Sequence, residues 1–193
     1  MKLIRVLAVD DDPDFQYLLE QTVGSQPDME LVAVYSDGSQ AFQAVQRHCP
    51  DIVLMDLDLR NVGRDGAETA RAIRLETAPK VIILTADDDP STVIDASVRA
   101  FASGYVFKSQ FTLLLPTIRE TAAGPTPQSH LICAALLSTL TSAERAVFYH
   151  LLGKDVAFHS STKTIANQQT SVLRKLGLPN KQTLRHIFSA YMG

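Results

Sequence analysis

A chain of 193 residues that is 46% hydrophobic can bury one ordinary core and a small second one, so two domains are expected. No apolar stretch approaches the roughly 20 residues of a membrane helix, and the first residues enter a strand-like run without the layout of a signal peptide, which predicts a soluble, cytoplasmic protein. The net charge of −3 conceals an asymmetry: residues 1–138 hold 11 Lys/Arg against 19 Asp/Glu, while residues 139–193 hold 7 against 2.

Up to Lys108, strand-length apolar runs alternate with helix-period segments, the pattern of a parallel sheet covered by helices on both faces. Strands are expected near 3–9, 31–35, 52–55, 81–84 and 104–107. Helices fit between them at Asp14 to Val23, Ser39 to Arg47, Gly66 to Glu76 and Ser91 to Ala102. In the first, Phe15, Leu18, Leu19 and Val23 recur on one face and form a buried stripe. A fifth helix, from about Phe111 to Ala123, closes this part; Pro116 requires either that it start nearby or that its first turn lack a hydrogen bond. Gly124-Pro-Thr-Pro-Gln128 reads as a linker, followed by a connecting helix over Leu131 to Leu137. From Leu140 onward the pattern is all-helical. Thr141 with Glu144 is a capping box that starts one helix. Ile165, Val172 and Leu176 are the apolar positions of another, ended by Gly177. A last helix runs from Asn180 or Lys181 to about Tyr191.

Four of the predicted strands end in residues suited to phosphate or metal chemistry: Asp10, Asp11 and Asp12 after the first, Asp56 after the third, Thr85 after the fourth and Lys108 after the fifth. In a doubly wound sheet, side chains just beyond the carboxyl ends of the strands converge. Asp10, Asp11 and Asp56 would then crowd three carboxylates together, which a hard cation must offset; Mg²⁺ is expected. One carboxylate can act as nucleophile toward a phosphoryl group, with Thr85 donating to a phosphoryl oxygen and Lys108 supplying positive charge. Asp12 and Asp14 are expected to cap the first helix, with Pro13 in its first turn, and Asp87, Asp88 and Asp89 to form a solvated loop. Cys49 and Cys133 match no disulfide or metal pattern and are expected to be reduced. His150, His159 and His186 form no ligand set.

At these positions the chain resembles a response-regulator receiver domain, through VLAVDDDP at 6–13, DIVLMDLDL at 51–59, VIILTA at 81–86 and GYVFK at 104–108. The resemblance covers roughly residues 3 to 123. It implies a flavodoxin-like α/β fold, a doubly wound five-stranded parallel sheet, in a domain spanning residues 1–123. It further implies that Asp56 is the phospho-acceptor, that Asp11, Asp56 and the backbone carbonyl of Asp58 ligate Mg²⁺, and that Asp10 helps through water. Thr85 and Tyr105 would be the switch pair and Lys108 the phosphate-contacting amine. The loop between Asp56 and Asp65-Gly66 is longer than the family's usual one. Asp56-Leu57-Asp58 also looks like the nucleophile motif of Asp-x-Asp phosphatases, but those enzymes place their metal acids downstream, whereas here the acid cluster comes first. A regulator rather than a turnover enzyme is expected.

Residues 140–193 resemble a LuxR/NarL-type helix-turn-helix domain, opening with Leu140-Thr-x-x-Glu-Arg145 and closing with Leu173-Arg-Lys-Leu-Gly177; residues 124–139 would be the linker and connecting helix. By that resemblance, residues 162 to 176 form the recognition helix. Lys163, Thr164, Arg174 and Lys175 would lie at phosphates, and Asn167 and Thr170 with Ala166 at base edges. The stretch GKDVAFHS at 153–160 is roughly six residues shorter than the family's, about 9 Å of helix, so the scaffold helix must be very short or missing. The resemblance implies a two-component response regulator with a sensor histidine kinase and DNA as partners, acting as a homodimer and controlling transcription. The shortened stretch leaves a second reading, in which the C-terminal helices serve dimerisation or protein binding without DNA.

Overall fold

In the computed structural model, which describes residues 2–59, 65–157 and 161–192, five strands form one sheet in the order β2-β1-β3-β4-β5. They are β1 (Ile4–Val9), β2 (Met29–Tyr35), β3 (Ile52–Asp56), β4 (Lys80–Thr85) and β5 (Gly104–Phe107), all parallel. The crossovers carry α1 (Pro13–Gly24), α2 (Gly38–His48), α3 (Gly66–Glu76) and α4 (Pro90–Ala100), and α5 (Leu114–Ala123) follows β5. Strand order reverses between β1 and β3, and the register sets Val9 opposite Met55 and Asp56 opposite Leu84. The carboxyl ends of β1, β3 and β4 therefore lie side by side, which is where such sheets bind ligands.

Side-chain alternation sorts the core. Val6, Ala8, Ile52, Leu54, Ile82 and Leu84 pack with Phe15, Leu19, Leu114 and Ile118 on the α1 and α5 side. Leu7, Val9, Val53, Met55, Val81 and Ile83 pack with Ala41, Val45, Ala70, Ile73 and Ala96 on the side of α2, α3 and α4. Central β3 is buried from end to end, hence its uninterrupted apolar run before Asp56.

Several boundaries differ from the sequence expectation for local reasons. Strand β2 starts at Met29 rather than 31. Helix α4 starts at Pro90 because Asp89 caps it, so Asp89 is no part of a merely solvated loop; it ends at Ala100 because Phe101 turns left-handed, with φ 53°. Asp12 caps α1 as expected, whereas Asp14 lies inside the first turn. A 3-10 segment over Lys108–Leu113 precedes α5, which places Pro116 in the first turn of α5, where its missing N–H forfeits no helical bond.

The linker reading of Gly124–Gln128 needs the largest correction. Pro127 is the first residue of α6 (Pro127–Ser138), and Thr126 and Ser129 exchange hydrogen bonds as its capping box. Proline suits this position because the first helical N–H has no partner to lose. Then follow α7 (Ser142–Leu151), opened by the expected Thr141/Glu144 box, α8 (Thr162–Leu176) and α9 (Lys181–Met192). Residues 152–157 hold no helix, where the scaffold helix is expected to be very short or missing; residues 158–160, including His159, lie outside the described residues.

These helices share one apolar cluster that includes Ile132, Leu136, Phe148, Val172, Ile187, Phe188 and Tyr191, and Phe101 from the end of α4 belongs to it. Phe148 and Phe188 meet edge to face at 4.7 Å between centroids. Polar ties fasten the C-terminal helices to the sheet-bearing part. Buried Arg74 on α3 donates to the carbonyls of Phe101 (3.3 Å), Pro79 (3.0 Å) and Ile187 (3.4 Å). Arg71 donates to Gly177 O at 2.7 Å, Tyr191 Oη to Ala102 O at 2.9 Å, and His186 Nε2 lies 2.8 Å from Thr77 O. His186 thus makes a contact across the molecule.

Candidate functional site

Asp10 follows β1, Asp56 ends β3 and Lys108 follows β5, so three strands deliver the centre of the site. Asp10 and Asp56 are buried and Asp11 is half-buried; one carboxylate oxygen from each lies within 4.8 Å of the others. Lys108 Nζ stands 2.7 Å from Asp10 Oδ2 and 2.8 Å from Asp56 Oδ2. Its ammonium rests over the Phe15 ring, 4.5 Å from the centroid, and Phe15 is in turn braced edge-on by Phe111. The backbone holds the carboxylates from the other side: Asp12 N–H donates to Asp10 Oδ1 at 3.1 Å and Asp58 N–H to Asp56 Oδ1 at 3.2 Å.

Burial pushes the Asp10 carboxyl above the ordinary value; Lys108 counters this, and the neighbouring Asp56 charge adds to it. Burial alone would weaken the charge on Lys108, but its two carboxylate partners outweigh it and hold the amine above the usual lysine value. A protonated Lys108 offsets one of three clustered negative charges. Asp10 Oδ2 is buried and accepts no well-aligned hydrogen bond. Three clustered carboxylates that donate only oxygen, with one charge offset by Lys108, fit a hard divalent cation such as Mg²⁺.

Thr85, fully buried at the end of β4, accepts from Asp87 N–H at 3.0 Å through Oγ1. Beside it opens a cleft of about 220 Å³ lined by Asp58, Asp65, Asp87 and Arg99 among others. Tyr105 is half-buried on β5 and packs toward α2, α3 and α4. The longer loop after Asp56 is described only through Leu59 and from Asp65; residues 60–64 lie outside the described residues.

Two contributors were not singled out from the sequence. Phe15 was assigned only to the α1 stripe, yet its ring face carries Lys108. Gly66 lies so near β3 that a Cβ there would sit 1.8 Å from the Asp56 carbonyl oxygen. A glycine directly after an N-cap aspartate was the available signal.

On α8, residues 163, 167, 170 and 174 follow helical spacing, and Lys163, Asn167, Thr170 and Arg174 are all exposed. Thr164 is exposed as well, with its amide capped by Ser161 Oγ at 3.2 Å. Lys175 behaves differently from its sequence assignment: its ammonium is paired with Glu144 Oε2 at 2.7 Å and reaches Thr139 O, while Ser171 donates to Glu144 Oε1. Lys175 thereby fastens α8 to the start of α7 and holds the Glu144 carboxyl down to about 2.

The response regulator receiver domain family matches residues 6–118. The transcriptional regulatory protein LiaR of Bacillus subtilis is 32% identical over 155 residues, covering 79% of this chain and 72% of LiaR. The nitrate/nitrite response regulator protein NarP of Escherichia coli is 28% identical and covers 98% of this chain and 96% of its own. Among solved structures, the signal receiver domain of a NarL from Mycobacterium tuberculosis aligns with a TM-score of 0.58 at 28% identity, over 64% of this chain and 99% of that one. The response regulator RcsB of Salmonella typhimurium aligns over the whole of both chains with a TM-score of 0.60; at 18% identity it bears on the fold alone. No helix among the described residues is long and apolar enough to cross a membrane.

Proposed function

Since the chain belongs to the response-regulator receiver family and its relatives are regulators of the NarL/LuxR type, we propose that Asp56 accepts a phosphoryl group from a sensor histidine kinase and that α8 reads DNA in response. The observation that carries this is the bridge of Lys108 between Asp10 and Asp56, with Asp11 beside them, at the reversal of strand order. An Asp56 carboxylate oxygen attacks the phosphorus of phosphohistidine; the P–N bond breaks, and the imidazole leaves and takes up a proton. Lys108 keeps its charge and turns from carboxylate to phosphoryl oxygens, and the Thr85 hydroxyl donates to another of them. Asp11, Asp56 and the Asp58 carbonyl would hold Mg²⁺, with Asp10 acting through water, and the ion would neutralise charge on the phosphoryl oxygens during transfer. The new charge of about −2 draws Thr85 toward the phosphoryl group and Tyr105 after it.

For output, the stripe of Lys163, Asn167, Thr170 and Arg174 is the DNA-facing surface, with Thr164 beside it at the N-terminus of α8 and a homodimer as the acting form. Lys175 is left out because Glu144 engages it. Acetyl phosphate with Mg²⁺ should add one phosphoryl mass to the native chain and none to Asp56→Ala; equal labelling of both would refute the acceptor. The lack of a helix across 152–157 favours a second reading, in which the C-terminal helices bind protein. Affinity for DNA that falls steeply with salt supports the first, and a flat response supports the second.

A further inference from the structure

We propose that Gln128 is a positioning residue that carries the state of Tyr105 to the C-terminal helices, an inference that rests on phosphorylation at Asp56. Strand β5 is an edge of the sheet, and β4 covers only one of its sides. On the open side the Gln128 side-chain amide takes the place of a missing strand: its Oε1 accepts from Tyr105 N–H at 3.1 Å and its Nε2 donates to Tyr105 C=O at 3.2 Å. The approach depends on Gly104, where a Cβ would lie 2.7 Å from Gln128 Oε1.

Neither end of this link is loose. Gln128 stands in the first turn of α6 between Thr126 and Ser129, whose reciprocal hydrogen bonds at 2.8 and 3.1 Å are buried. Farther along, α6 places Ile132, Leu136 and Leu137 in the cluster that holds Phe148 and Phe188. Tyr105 precedes by three residues Lys108, whose ammonium holds Asp56. A rearrangement at Asp56 that shifts β5 at Tyr105 must therefore either break both Gln128 bonds or move α6 and the helices packed on it. Both bonds cross from backbone to side chain, so they report backbone displacement and not merely rotation of the tyrosine ring. Packed elements joined this way provide the contiguous physical connection that coupling requires.

The test uses the full chain, with intact mass reporting acetyl-phosphate labelling and hydrogen exchange of residues 127–138 reporting α6 in the same samples. Labelling of the native chain is expected to change α6 exchange. Gln128→Met keeps length and bulk but forms neither bond. It should label normally while the phosphorylation-dependent change in α6 falls about tenfold, about 1.4 kcal/mol of lost coupling. Gly104→Ala, which pushes the Gln128 amide aside while leaving every residue of α6 unchanged, should do the same and serves as the reading if the methionine variant does not fold. A role in packing alone predicts an unchanged response in Gln128→Met, and that result with labelling intact overturns the relay while leaving Asp56 as acceptor. Absence of labelling in the native chain overturns the acceptor and the relay together.

Discussion

Replacing Tyr191 by phenylalanine isolates one tie between the last helix and the sheet-bearing part. The hydroxyl donates to Ala102 O at 2.9 Å across 89 residues, and both residues are buried. Phenylalanine keeps the ring in place and opens almost no cavity, so the loss is the hydrogen bond and the dry carbonyl left behind. A net bond contributes about 0.5–1.5 kcal/mol and a stranded buried acceptor costs about 1–3, partly offset because no hydroxyl is desolvated, which puts the change at about 1–2 kcal/mol. For a chain of this size that lowers the melting temperature by about 2–8 °C, provided it unfolds as one unit. Single-unit unfolding is expected because Phe101 shares its apolar cluster with Ile187 and Phe188. Scanning calorimetry should show one transition that moves whole, with exposed Ser189→Ala as a control that shifts little. Two transitions of which only one moves, or a Tyr191→Phe shift under about 1 °C, would refute the reasoning.

Gly66→Ala drives a methyl into the Asp56 carbonyl, so acetyl-phosphate labelling should fall at least about tenfold with a stability loss of about 1–3 kcal/mol; native labelling would contradict the geometry. Asp10→Asn should raise the melting temperature in EDTA, since it removes a buried carboxylate whose ionisation burial and Asp56 oppose, while weakening Mg²⁺ binding by titration; unchanged or tighter Mg²⁺ binding would count against the cation site, and a lower melting temperature against the cost of burying Asp10. The Glu144 carboxyl is held at about 2 in the fold, below its ordinary value of 4.5. Its contribution is therefore complete above pH 4.5 and lost as pH falls toward 2, and Glu144→Gln should flatten acid unfolding in that window. Lys163→Ala and Arg174→Ala should each reduce the salt slope of DNA binding by about 1, whereas Lys175→Ala should act mainly on stability.

The sheet and the centre of the site were readable because each signal is local: an apolar run short enough for a strand, then an acid, hydroxyl or amine where the strand must end. The capping box at Thr141 and Glu144 was legible for the same reason. Gly124-Pro-Thr-Pro was misread because the same residues that break a chain also open a helix when a threonine precedes proline and a serine follows two residues later. The resemblance to the helix-turn-helix family places Lys175 at phosphates but could not show Glu144, 31 residues earlier, waiting for it. Gln128, Arg74 and Tyr191 carried no signal at all, since their partners are backbone carbonyls and amides, nearly all of them far away in sequence.

Arg74 also sets a condition on the order of assembly. Its guanidinium is buried and held by carbonyls from three places, the farthest being Ile187, 113 residues downstream. During synthesis the sheet strands emerge first, yet the cation at their flank lacks its third acceptor until α9 has left the ribosome. Final closure must wait for a contact of long sequence separation, which slows the last step of folding. A nascent chain halted before α9 would expose a charged, apolar-rimmed face, the kind of surface that chaperones hold.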